Sequence, residues 1–247
     1  MRNIWIIAKR EYDQYFASPV AYMIMFVIYL VLGIFFYLNM SFAFVQMQYA
    51  PTVQIVLAPL GTLLALTIPA ITTRLLAEEQ RLGTIELLLT APIRDWELVI
   101  GKWLGAFMLA LTILVFTLIF PLILNNLVDP GIDQGLLLSG YLGVILLSAV
   151  FTAVGVFISS LFNNQIAAFA TTMGALIFIW WVIGPIAQVL GATSAVGRFF
   201  SFIDISDHFF SGFLSGVVEL GNVVFAVSLT ALALFGASMV LEVRRWR

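Results

Sequence analysis

Six long apolar runs, separated by short polar or Gly/Pro-bearing breaks, dominate the chain. They fall at about 20–38, 53–72, 103–124, 136–160, 166–190 and 222–241, and none contains Asp, Glu, Lys, Arg or His. An α-helix rises 1.5 Å per residue, so roughly 20 apolar residues cross the hydrocarbon core of a bilayer. The pattern predicts an all-α membrane protein with six transmembrane helices. Asn125-Asn126 with Asp129-Pro130-Gly131, and Asn163-Asn164-Gln165, read as turns between spans. The first run is too long and too late for a cleaved leader, and is read as a span. No internal repeat or soluble domain is legible, so residues 1–247 are read as one transmembrane domain.

Basic residues set the expected orientation. With an even number of spans and the N-terminus inside, ten of the 11 Lys and Arg residues fall on the cytoplasmic side. Only Arg198 falls outside, as the positive-inside rule requires. Both termini are therefore expected in the cytoplasm.

Three segments depart from a plain alternation of span and loop. In residues 1–19, Ile4, Trp5, Ala8, Tyr12, Tyr15 and Phe16 recur at helical spacing opposite Arg2, Lys9, Arg10, Asp13 and Gln14. That is an amphipathic helix suited to the membrane interface, ended by Ser18-Pro19. The connector 73–102 gathers eight charged residues between Arg74 and Glu97 around the apolar run Ile85, Leu87, Leu88, Leu89. Thr84 is placed to cap a short helix with Glu86 in its first turn, and Pro92 to stop it. Such a helix is either a surface for a protein groove or a solvated connector. The stretch 191–221 carries Phe199, Phe200, Phe202, Phe209, Phe210 and Phe213 among Arg198, Asp204, Asp207, His208 and Glu219. It is too apolar for a free loop and too polar for a span, so short external re-entrant helices are expected, with Gly212 and Gly216 as a small-residue packing pair.

Composition narrows the chemistry. Apolar residues are 62% of the chain and charged residues 10%, with a mean hydropathy of +1.10, against ~45–50% and ~25% in soluble domains. There is no cysteine and a single histidine, His208, which removes thiolate chemistry and multi-histidine metal sites. His208 is expected to be an interfacial surface residue. Gly101-Lys102 lacks the rest of a phosphate-binding loop. Asp129 with Asp133, and Asp204 with Asp207, read as turn carboxylates before metal ligands. No catalytic, cofactor or metal site is assigned. Lacking ionisable groups at depth, the chain is expected to draw its coupling energy from the cytoplasm.

The string Glu78-Glu79-Gln80-Arg81-Leu82-Gly83-Thr84-Ile85-Glu86-Leu87-Leu88-Leu89-Thr90-Ala91-Pro92, followed by Gly101-Lys102, resembles the signature after the second span of ABC-2 type transporter permeases. Lys9-Arg10-Glu11, Ser18-Pro19, Asp207-His208-Phe209 and the closing Leu241-Glu242 with Arg245-Trp246 extend the resemblance along the chain. It is nearest in character to the gliding-motility and nitrous-oxide-reductase-maturation permeases. The resemblance implies a multi-pass prokaryotic inner-membrane subunit, not itself an enzyme, that exports lipidic or amphipathic cargo. Its implied partners are a separate P-loop ATP-binding cassette ATPase, a second permease chain, identical or not, and membrane lipid, with no nucleic acid. Lys9, Arg10, Glu11, Arg81, Gly83, Thr84, Ile85, Glu86, Leu87, Leu88 and Pro92 would contact the ATPase. Phe199, Phe202, His208, Phe209, Phe213, Gly212 and Gly216 would belong to the re-entrant segment. A membrane anchor for an ATPase and an intramembrane lipid-modifying enzyme are the other readings.

Overall fold

The computed structural model describes residues 2–46, 51–84, 93–191 and 194–245. Among these residues six helical stretches are long and apolar enough to cross a membrane: Pro19–Ala43, Gln54–Leu82, Asp95–Leu127, Gln134–Leu161, Gln165–Leu190 and Leu220–Arg244. The chain begins with α1 (Arg2–Ala17), which turns at Ser18 into α2 (Pro19–Gln46), the first span. Span two is α3 (Gln54–Thr72), a π-helical turn (Arg74–Glu78) and α4 (Glu79–Leu82). Span three is α5 (Asp95–Thr117) with α6 (Ile119–Leu127), and span four is α7 (Gln134–Leu161). Span five joins α8 (Gln165–Ile177), a second π turn (Phe178–Val182) and α9 (Ile183–Leu190). After short helices α10 (Ala195–Ile203) and α11 (Ile205–Asp207), a third π turn (His208–Gly212) and a 3₁₀ turn (Phe213–Ser215), α12 (Leu220–Arg245) is span six.

Polar residues fix where the helices start and stop. Asp133 accepts from the Gly135 and Leu136 amides, Asn164 from Ile166, and Ser194 from Gly197. Asp204 accepts from the Ser206 and Asp207 amides. Each satisfies N-terminal donors that the helix cannot. The carboxylates weighed as metal ligands thus include two caps, Asp133 and Asp204. At the other end of α4, Gly83 has φ +71°, its amide bonded to the Gln80 carbonyl and the Thr84 amide to the Glu79 carbonyl. That is a Schellman stop, which a left-handed glycine permits.

Span four is the most enclosed, and spans one and six are the least. Its buried face sets the small residues Ser139, Gly140, Gly143, Ser148, Ala149, Thr152, Ala153, Gly155 and Ser159 among larger ones such as Leu147 and Phe151. Between apolar helices in lipid, association rests on close packing and hydrogen bonds rather than on expulsion of water. Accordingly Gly140 is covered by Leu57, Gly143 by Phe213 and Gly155 by Thr72.

Two boundaries differ from the sequence pattern. Span two stays helical to Leu82, and α5 begins at Asp95, so much of the presumed connector 73–102 is helix. Glu97 accepts from the Arg94 amide at 3.1 Å, starting α5 eight residues before the apolar run. The helix of span three therefore carries Asp95, Glu97 and Lys102 ahead of its uncharged apolar run. Within α1, the stripe residues Ala8 and Tyr15 turn inward together with Glu11, while Trp5 and Ile6 are exposed.

The cause is a glycine pair. A Cβ on Gly101 would lie 2.7 Å from Ile7 Cβ, and one on Gly105 would lie 2.6 Å from Glu11 Cβ and 3.0 Å from the Ala8 carbonyl. The backbones of α1 and α5 meet across these two positions. Gly105→Ala is expected to lose about 1–3 kcal/mol of stability by overpacking, read as a lower Tm in detergent. Gly33→Ala, whose Cβ would meet nothing within 4 Å, should leave Tm unchanged or slightly raised.

Candidate functional site

The close approach of α1 to α5 brings three ionised side chains together at one end of the bundle. Lys102, 1% exposed, points between α1 and α4. Its Nζ donates to Glu11 Oε1 at 2.8 Å and lies 2.8 Å from Glu79 Oε1. Burying a lone ammonium costs several kcal/mol, and removing one partner of a buried pair typically costs ~3–5 kcal/mol. Beside this contact, Tyr15 donates to the Ile71 carbonyl at 2.8 Å. Burial pushes the Tyr15 phenol well above its ordinary range and the Glu11 carboxylate adds to the rise, so it stays a donor at any physiological pH.

A cleft of about 540 Å³ opens from the triad, walled by Arg10, Gln14, Arg74, Glu78 and Thr84 as well as by the triad itself. Glu79 Oε2 is buried there with no hydrogen-bond partner among the described residues. The same end of the bundle holds the last turn of α12. Arg244 donates to the Ser160 carbonyl at 3.2 Å and to Asn163 Oδ1 at 2.9 Å, and Gln80 Nε2 donates to that same carbonyl at 3.1 Å. A cation at a helix C-terminus complements its exposed carbonyls.

Just above α4 the π turn breaks the regular hydrogen-bond ladder of span two, and a side chain from α7 repairs it. Ser159 Oγ accepts from the Leu76 amide at 3.2 Å and the Ala77 amide at 3.0 Å, and donates to the Thr73 carbonyl at 3.2 Å. Buried backbone groups need such partners. Each of these neutral bonds is worth about 1 kcal/mol net. Span two is therefore tied to α1 and α5 through Glu79 and Lys102, and to α7 through Ser159 at its π turn and through Gln80.

The opposite end carries the aromatic segment. Phe209 and Phe213 are buried, packed against Gly61 and Gly143, whereas Phe199 and Phe202 are exposed. Phe209 reaches Trp180, whose indole donates to Thr62 at 3.2 Å. His208 sits partly buried, with Nδ1 2.8 Å from Asn222 Oδ1 and Nε2 2.9 Å from the Phe202 carbonyl. Its ring lies 4.4 Å from Phe225, so it joins the segment to span six while staying partly exposed. Gly212 and Gly216 do not form one packing face. Gly212 admits the Asn222 side chain, and Gly216 makes a turn at φ +88°.

Of the residues assigned to an ATPase contact, Lys9, Arg10, Arg81, Gly83 and Thr84 are exposed. Glu11 is not, because it serves Lys102 inside. Ile85, Glu86, Leu87, Leu88 and Pro92 lie outside the described residues. Sequence reasoning assigned no role to Lys102, Glu79 or Ser159. The signals were present: Glu11 falls on the 4-8-11-15 stripe of α1, and Lys102 sits inside Gly101-xxx-Gly105.

Residues 46–241 match the model of a family described as ABC-2 family transporter protein. No curated protein matches the chain.

Replacing Ser159 by Ala should strand the Leu76 and Ala77 amides at a cost of about 1–3 kcal/mol. The expected reading is a lower Tm, with faster hydrogen exchange confined to residues 74–78.

Proposed function

The chain belongs to the ABC-2 transporter family, and we propose that it is the permease subunit of an ATP-binding cassette exporter, powered by a separate ATPase chain. The observation that carries this reading is the family match, which runs from the end of span one through span six. Subfamily and cargo rest on the sequence resemblance alone. The gliding-motility and nitrous-oxide-reductase-maturation permeases are the relatives we favour, and lipidic or amphipathic molecules the cargo. Two permease chains and two ATPase chains complete the complex in a prokaryotic inner membrane.

The coupling face in this reading is the end that holds the triad. Arg10, Arg74, Arg94, Lys102 and Arg244 cluster there, which favours placing it in the cytoplasm. Residues 85–92 join α4 to α5 in sequence, so a partner pulling on them acts on both helices at once. Glu86 is the charged contact in this segment. Exposed Lys9 and Arg10 offer a second contact on α1. Nucleotide-driven closure of the ATPase pair then moves these helices and opens a path toward the aromatic end.

Two measurements test the reading. Tagged wild type purified from native membranes in mild detergent should bring down a P-loop ATPase, and Glu86→Lys should bring down markedly less while inserting normally. Absence of any ATPase from both preparations would overturn the assignment. A cysteine placed at Asp129 should react with an impermeant maleimide added to intact cells, and one placed at Arg245 only after permeabilisation. The reverse pattern would invert the topology.

A further inference from the structure

The coupling face has a mechanical division that the family match does not supply. Three chain segments meet on one ammonium: α1 through Glu11, α4 through Glu79, and α5 through Lys102 itself. Gly101 and Gly105 seat α1 on α5 immediately either side of that lysine. Above α4, span two is in π form, and its freed amides are held from α7 by one hydroxyl.

The two attachments differ in kind. Ser159 meets backbone amides of an irregular turn, whereas Lys102 joins side chains of three helices through charge. Detaching Glu79 would leave the ammonium one carboxylate in place of two, which favours joint movement of the three helices.

We propose that Lys102 is a positioning residue for transport, binding α1, α4 and the first turns of α5 into one rigid body that swings on the π turn at Arg74–Glu78. The proposal rests on the permease reading for the source of the force, and on the geometry alone for the existence of the clamp. Its consequence is specific: a push received on α1 and a push received on residues 85–92 reach span two as one displacement.

The chain has no cysteine, so spin labels can be placed in pairs without background. Asp13 on α1, Leu82 on α4 and Leu161 at the end of α7 are exposed and outside the triad. Pulsed electron–electron resonance would measure the 13–82 and 82–161 distances in the purified complex, nucleotide-free and trapped with ATP and vanadate. In wild type the 13–82 distance should stay narrow and unchanged, while 82–161 shifts with nucleotide. Glu79→Leu is the variant expected to fold, because the Lys102–Glu11 pair it leaves is neutral. In it the 13–82 distribution should broaden and the nucleotide shift at 82–161 should be lost, although the ATPase still co-purifies.

Lys102→Met should do the same more severely, and Lys102→Arg should restore both readings. A lysine that merely stabilised the fold would lower Tm and leave the nucleotide shift intact. A 13–82 distance that moves with nucleotide in wild type, or wild-type distances in Glu79→Leu, would overturn the proposal. If no ATPase accompanies the chain, the permease reading fails. The 13–82 distribution of the isolated protein, narrow in wild type and broad in Glu79→Leu, still decides whether the clamp exists.

Discussion

Taking an ammonium group out of water is tolerable only where carboxylates replace its hydration, and Lys102 meets that condition with groups from two other helices. The demand propagates outward. Glu11 can reach the lysine only if α1 lies against α5, and α1 can lie there only because positions 101 and 105 carry no side chain. Glu79 can reach it only if span two continues as helix beyond its apolar part. The position of α1, the extension of span two and the early start of α5 are thus answers to one electrostatic requirement.

A second constraint acts along the spans. Backbone groups freed from a helix inside an apolar bundle have no water to turn to, so each departure from α geometry comes with a nearby partner or a proline. Ser159 serves the π turn of span two. In span five the π turn at Phe178–Val182 precedes Pro185, which has no amide proton to give, and Trp180 within it is pinned to Thr62 on span two. The two irregular spans are joined by this bond, and span two is also tied at the charged end. A protein that converts a force at one face into an opening at the other has a use for elements of this kind.

How much of this was legible beforehand depends on what each feature is made of. The six spans followed from apolar length alone, since lipid imposes a single scale, and the family followed from a string that includes Gly83, Thr84 and Pro92. The boundaries were misjudged where charge and helix coincide. Arg74, Glu78 and Glu79 read as a connector because their burial depends on partners distant in sequence. On α1 the apolar stripe was legible, but not that two glycines on another helix turn Glu11 inward beside Ala8. Ser159 was invisible, being one small polar residue among several on α7, distinguished only by what stands opposite.

The π turn of span two has one further implication, for the phase of the helix. Each residue of an α-helix advances the side-chain direction by about 100°, and a π turn accommodates one residue more than its α equivalent. Everything beyond Glu78 is therefore rotated relative to where an unbroken helix from Gln54 would place it. With the turn present, Glu79 faces Lys102 and Gln80 faces the end of α7. With it absent, the same sequence would aim a different residue at the lysine. The irregularity works as a phase shifter that lets an apolar membrane span and a charged end, each with its own preferred face, share a single continuous helix.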